Sequence, residues 1–174
     1  MLNLEDRIEN FNILMGEHVT DEFFNWLMEY DFFTAPASAN HHGNYEGGLF
    51  DHSFAVAEAL VKLTKDNSLK WHLPRSPFIV GMFHDLCKID QYKKTETGFA
   101  YNNDMLISGH GDKSVIYLQQ HIKLTQEEII CIRWHMGAFD EAGNWKYYSA
   151  AVRQFENTLW THTADMIASQ IMGI

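Results

Sequence analysis

Six histidine and aspartate residues of this sequence fall at predicted helix ends or on apolar helix faces. They are His52, His84, Asp85, His110, His135 and Asp165. Neutral imidazoles and carboxylates that converge from several helices suit divalent transition metals, and a bridging carboxylate can hold two such ions. Asp85 is the natural bridge. Because adjacent helical residues point about 100° apart, His84 and Asp85 can both be ligands only near a helix end or across a pair of metals. The types and order of these residues therefore predict a metal site.

The first part of the chain reads as helices that lead up to His52. Apolar residues at helical spacing follow Leu4 and also follow the Thr20–Asp21 start signal, which predicts two N-terminal helices. Residues 34–48 are rich in Gly, Asn and small side chains, which is typical of a loop. The next segment is expected to be helical as far as about residue 65.

The rest of the chain reads as further helices and one short hairpin. Ser76 as the cap and Pro77 at the first helical position predict a helix that ends near Lys88. The sequence QYKKTETGFAYN alternates around a Thr-Gly turn, which predicts a β-hairpin between residues 90 and 102. Helices are expected at roughly 112–121, 125–134 and 148–171, the second opened by the capping-box sequence TQEE.

Composition limits the kind of protein. The 174 residues suit one domain, in which the helices of residues 1–33 are expected to pack on a core formed by residues 40–174. The net charge of -10, without a long Lys/Arg stretch, disfavours duplex nucleic acid as a partner. Cys87 and Cys131 lie in separate apolar segments and read as reduced thiols. No leader and no apolar run of about 20 residues is present, so a soluble cytoplasmic protein without a membrane partner is expected.

The predicted metal ligands lie in short motifs. These are GGLFDHS around His52, FHDLCK around His84 and Asp85, GHG around His110, WHMG around His135 and TADMIAS around Asp165. In order and spacing they resemble the HD superfamily of metal-dependent phosphohydrolases, which is named for the His-Asp pair. The resemblance runs from about residue 40 onward and is closest to the HD domains of bacterial 3'-5' exoribonucleases. It implies an all-α HD-domain helical bundle.

The resemblance also implies a function. His52, His84, Asp85 and Asp165 would hold a first divalent ion, and His110 and His135 would complete a second, with Mn, Fe, Ni, Co, Mg and Zn not distinguished. The expected activity is hydrolysis of a small phosphorylated substrate, a nucleotide or a short single-stranded oligonucleotide, by a metal-activated water. Asp85 and Lys88 would be catalytic, and Lys88 would approach the substrate phosphate. Cys87 stands where the family pattern has Gly, which puts a left-handed backbone conformation there in question.

Some alternatives remain open. A similar ligand set holds a pair of irons in related oxygenases, and a non-catalytic nucleotide-binding module is a third possibility. His41 and His42 are either loop histidines or part of a substrate pocket, where His42 would contact the substrate. His162 shares a helix face with Asp165, and helix packing accounts for it.

Overall fold

The computed structural model describes residues 2–40 and 43–174. In this part of the chain, eight α-helices and one antiparallel two-stranded hairpin form, which confirms the predicted mainly α-helical fold with a short hairpin. The helices are α1 (Leu4–Met15), α2 (Asp21–Glu29), α3 (Gly48–Asp66), α4 (Ser76–Phe83), α5 (Gly111–Leu118), α6 (Gln126–Arg133), α7 (Trp145–Gln154) and α8 (Asn157–Met166), and the strands are β1 (Tyr92–Thr95) and β2 (Gly98–Tyr101). Within the same residues, none of the helices has the length and apolar character needed to cross a membrane.

Helix α4 differs from its prediction at both ends. Its cap residue is Arg75, and Ser76 is the first helical residue. The buried Ser76 hydroxyl does not cap the helix, because it donates a hydrogen bond to Glu128 on α6 (3.0 Å). The helix ends at Phe83, five residues before Lys88, and a 3-10 turn follows over Leu86–Ile89. The physical reason is the His84 ring, whose Nδ1 bonds the Gly81 carbonyl oxygen in the last turn (2.8 Å).

The single helix predicted over 148–171 is wrong. The structure instead has α7, a break at Phe155, then α8 and a π-helical segment over Ile167–Met172. The break is anchored by Asn157, whose side-chain amide donates to the Lys70 carbonyl (2.8 Å) and to Glu127 (2.9 Å). Such long-range hydrogen bonds outweigh local helical periodicity, which carries no information about them.

Aromatic side chains of the N-terminal helices pack around the end of α4. Phe83, the residue before His84, is fully buried, and its ring centroid lies 6.4 Å from that of Phe11 on α1 and 5.1 Å from that of Phe23 on α2. Burial of each such ring stabilises the fold by about 1.5–3 kcal/mol. The backbone that carries the His-Asp pair is therefore held by a rigid apolar cluster.

A buried ion pair ties α1 to the start of α3. The Arg7 guanidinium donates to both carboxylate oxygens of Asp51, at 2.8 and 3.1 Å, and Asp51 is adjacent to His52. Gly47 makes room for this guanidinium, since a Cβ at that position would lie 2.0 Å from Arg7 Cζ, and its φ is +86°. The pair thus fixes the entry into the helix that carries His52.

Candidate metal centre

The structure brings all six predicted ligands into one cluster at the centre of the bundle. His52 comes from α3, His84 and Asp85 follow α4, His110 immediately precedes α5, His135 follows α6, and Asp165 lies in the last turn of α8. Three overlapping groups in this cluster each offer ligand atoms within 4.8 Å of one another, namely His52 with His84 and Asp85, His84 with His135 and Asp165, and Asp85 with His110 and His135. This arrangement is compatible with a metal site.

Two glycines allow the helices to approach closely enough for this convergence. A Cβ on Gly81 of α4 would lie 2.5 Å from the Cα of Ala57 on α3, so these two helices touch along their backbones. A Cβ on Gly111 would lie 2.4 Å from the Arg133 carbonyl oxygen, so the start of α5 touches the end of α6. The first contact brings His84 beside His52, and the second brings His110 beside His135.

Asp85 has its two carboxylate oxygens turned toward different histidines. Oδ2 lies 3.6 Å from His52 Nε2 and 3.5 Å from His84 Nε2. Oδ1 lies 2.8 Å from His110 Nε2 and 3.3 Å from His135 Nε2. Asp165 adds an oxygen 3.3 Å from His52 Nε2. One carboxylate therefore joins two groups of nitrogen ligands, which is the geometry of a bridging ligand.

Backbone carbonyls fix the ring orientation of three histidines. Nδ1 of His52 lies 2.9 Å from the Ile174 oxygen, Nδ1 of His84 lies 2.8 Å from the Gly81 oxygen, and Nδ1 of His135 lies 2.7 Å from the Ile132 oxygen. A carbonyl oxygen can only accept, so each Nδ1 must carry the proton. In the neutral ring, Nε2 then presents a lone pair toward the cluster, which is the form that binds metals.

Several buried nitrogen and oxygen atoms of the cluster face one another at short distances. His52 Nε2 and His84 Nε2 lie 3.3 Å apart, and two ring nitrogens that both carry a lone pair cannot hydrogen-bond to each other. Asp85 Oδ1 and His135 Nε2 are buried without a well-aligned hydrogen bond, although Oδ1 lies only 2.8 Å from the His110 ring. Buried acceptors that face one another are costly unless a positive charge lies between them. The nitrogen and oxygen donors fit a divalent transition metal.

The pKa shifts in the cluster oppose one another. Although burial alone would lower the pKa of His110, Cys87 and Asp85 raise it to about 10, so this ring must lose a proton to bind a metal. Burial lowers the pKa of His84 to about 3, so this ring is neutral at neutral pH. Burial alone would raise the pKa of Asp85, but the Lys88 ammonium and the nearby histidines hold it well below its usual value. Lys88 Nζ lies 2.7 Å from Asp85 Oδ2, and this carboxylate raises the pKa of Lys88 against the effect of burial.

Cys87 supports His110 from the side away from Asp85. Its Sγ lies 3.4 Å from His110 Nδ1, and its backbone N–H donates to the Ser114 hydroxyl (3.0 Å). Cys87 lies within the 3-10 turn, and the only described residues other than glycine with positive φ are Asp31 and Ser68. Cys87 therefore needs no left-handed conformation.

A cavity of about 480 Å³ opens onto the cluster, a volume within the range of small-molecule binding sites. Lys88 lines this metal-site cavity together with four of the predicted ligands, His52, Asp85, His110 and Asp165. The wall also includes apolar and polar side chains. The apolar ones are Met136, Phe139 and Met166, and the polar ones include Ser38, Gln91 and Ser169. His42, the other predicted substrate contact, lies outside the described residues, as does His41.

The roles of several residues around the site could not be predicted from the sequence. His162, assigned to helix packing, has its Nδ1 2.8 Å from the His135 carbonyl oxygen and packs against Gly137, so it holds the loop that follows His135. The Ile174 carbonyl reaches His52 through the π-helical segment after Asp165, and periodicity cannot indicate such a segment. Phe139 lines the cavity and lies just after the WHMG motif, which is the only hint of its place.

Comparisons of the chain with protein-family models, with curated proteins and with solved structures found no match. The site is therefore defined by its geometry.

Proposed function

We propose that this chain belongs to the HD superfamily and is a metal-dependent phosphohydrolase that acts on a nucleotide or a short single-stranded oligonucleotide. The observation that carries the proposal is the position of Asp85, whose two oxygens face two separate pairs of histidines. The chain order of the six residues, which resembles that superfamily, and the adjoining cavity add support.

The ligand set suits two divalent ions. His52, His84, Asp85 and Asp165 would hold the first, and His110, His135 and the other oxygen of Asp85 would hold the second. Such ions lower the pKa of a water molecule and withdraw charge from phosphoryl oxygens when they are bound. They would also supply positive charge locally in a chain of net charge -10, which otherwise repels anions.

Lys88 is the residue best suited to contact the phosphoryl group. Its ammonium is buried, lines the cavity, and is kept charged by Asp85. A fixed positive charge in a site of low polarity stabilises the charge that builds up on phosphoryl oxygens in the transition state. In the net reaction, a P–O bond forms to water, the P–O bond to the leaving alcohol breaks, and that alcohol receives a proton.

A comparison of hydrolysis rates between the wild type and the Asp85→Ala variant tests the proposal. Purified protein loaded with manganese, cobalt, nickel, iron or magnesium is assayed on bis(p-nitrophenyl) phosphate, nucleotides and short oligonucleotides. We expect hydrolysis with at least one metal, and a loss of at least about a hundredfold in Asp85→Ala. Asp104→Ala is the matched control, because Asp104 is an exposed carboxylate paired with Lys93 away from the cluster.

Two results would contradict the proposal. Activity that survives in Asp85→Ala would come from a contaminant or from another site. A mixed-valent di-iron centre in protein purified without oxygen, together with no hydrolysis of any phosphate ester, would favour the oxygenase alternative.

A further inference from the structure

A second cavity adjoins the metal-site cavity along the hairpin. This hairpin cavity has a volume of about 500 Å³ and is lined by Ser38, Ala39, Asn40, Gln91, Tyr92, Phe99, Ala100 and Tyr101. Ser38, Gln91 and Tyr92 line both cavities. The two cavities therefore lie next to each other along Tyr92.

The lining of the hairpin cavity is aromatic and uncharged. Tyr92 and Tyr101 are cross-strand partners, with ring centroids 6.3 Å apart at an angle of 81°, and Phe99 is the third ring. No Lys, Arg, Asp or Glu is among the described residues that line it. Amide groups of Asn40 and Gln91 add hydrogen-bonding capacity. Such a surface suits a planar, uncharged, polar-edged group and is unsuited to a phosphate.

Tyr101 is not explained by packing. Its side chain is 54% exposed on an isolated two-stranded hairpin, although tyrosine rings usually bury most of their apolar surface. An exposed ring at the rim of a cavity offers a face on which a nucleobase can stack, and stacking of this kind tolerates any base.

We infer that the substrate is a phosphodiester with a nucleoside on each side of the cleaved bond, and that the hairpin cavity binds the base of one of them. This inference rests on the proposed function and names its substrate class, a single-stranded oligonucleotide of at least two residues. A phosphomonoester would fill only the metal-site cavity, whereas a dinucleotide fills both. Hydrolysis adds water across the diester, leaving the phosphate on one nucleoside and a hydroxyl on the other.

Two substrates that differ only in the second nucleoside test the inference. One is a dinucleoside monophosphate, and the other is the methyl ester of the same mononucleotide. We expect the wild type to prefer the dinucleotide by about tenfold in kcat/KM, mainly through KM. Tyr101→Ala should remove this preference and leave the methyl ester unaffected, whereas Tyr101→Phe, which keeps the ring, should retain it. Tyr147→Ala is the matched control, since Tyr147 is 55% exposed and lines neither cavity.

Equilibrium binding gives a second readout. With calcium and a dinucleoside phosphorothioate, Tyr101→Ala should raise Kd about tenfold while Tyr147→Ala leaves it unchanged. Equal kcat/KM for the two substrates in the wild type, or equal losses for both in Tyr101→Ala, would overturn the inference. If no phosphate ester is cleaved, the proposed function fails instead, and binding that depends on Tyr101 would still support the subsite.

Discussion

At the scale of single residues, the chemistry of the cluster depends on which atoms point inward. Carbonyl oxygens hold the Nδ1 atoms of His52, His84 and His135, so their Nε2 atoms face Asp85. The orientation of each ring is thus set before any ligand binds, which reduces the cost of assembling a metal site. Lys88 is different, because it pairs with Asp85 and also faces the cavity.

Lys88→Met separates a role at the phosphate from a role in the metal site. The substitution keeps an unbranched apolar chain of similar length in a buried position but removes the ammonium. We expect kcat to fall by about 10² to 10³, because a fixed charge at the phosphoryl oxygens is lost, while metal content stays at the wild-type level. Elemental analysis beside the hydrolysis assay measures both.

The matched control is Lys93→Met, which removes a half-exposed lysine of the hairpin that pairs with Asp104. Its rate should match that of the wild type. Loss of metal together with activity in Lys88→Met would show that Lys88 only supports Asp85, and an unchanged rate would exclude a part in the reaction.

At the scale of secondary structure elements, the site depends on two close helix contacts. Gly81 lets α4 lie against Ala57 of α3, and Gly111 lets the start of α5 lie against the end of α6. In each case the glycine is near a predicted ligand, His84 in the first contact and His110 in the second. The two halves of the cluster are therefore assembled by different helix pairs.

Alanine at either glycine should disturb one half of the cluster. The added methyl group would meet backbone atoms at 2.5 Å for Gly81 and at 2.4 Å for Gly111, so the helices must separate. Overpacking of this kind costs about 1–3 kcal/mol of the free energy of unfolding. Urea unfolding should show this loss, and metal titration should show weakened binding at one ion in each variant.

Gly143→Ala provides the control, since a Cβ there would have no neighbour within 4 Å. It should unfold and bind metal as the wild type does. Wild-type metal binding in both Gly81→Ala and Gly111→Ala would show that the cluster does not depend on these contacts.

The sequence predicted elements well where the signal is local. The capping box of Thr125 and Glu128 begins α6 as expected, and the hairpin forms between residues 90 and 102. Prediction from the sequence failed where residues far apart in the chain determine the backbone conformation. Asn157 breaks the predicted C-terminal helix through bonds to Lys70 and Glu127, and the His84 ring bonds the Gly81 carbonyl where α4 stops short of Lys88. Neither partner can be read from helical periodicity.

At the scale of the whole molecule, the site is held by residues from nearly the full length of the described chain. The core around Phe83 includes Phe11 and Phe23, and Arg7 reaches Asp51 beside the first ligand. The histidine and aspartate types and their order were enough to predict which side chains converge. The hairpin cavity and the Ile174 carbonyl could not be predicted, because both arise from tertiary contacts alone.

Removal of residues 1–33 tests the prediction of a single domain. Without α1 and α2, the rings of Phe83 and its apolar neighbours would face water, and Asp51 would lose its buried partner Arg7. We expect the shortened chain to lose cooperative urea unfolding, followed by circular dichroism and tryptophan fluorescence. A wild-type transition midpoint with wild-type metal content would show that residues 34–174 fold independently.

We propose above all that two ions bind between His52, His84, Asp85, His110, His135 and Asp165, with Asp85 in contact with both. Anomalous X-ray diffraction from crystals grown with manganese tests it most directly, because the signal locates each ion without reference to activity. We expect two peaks about 3.5–4 Å apart, each beside one oxygen of Asp85. The absence of any peak in the cluster at saturating manganese, or peaks that Asp85 does not contact, would contradict it.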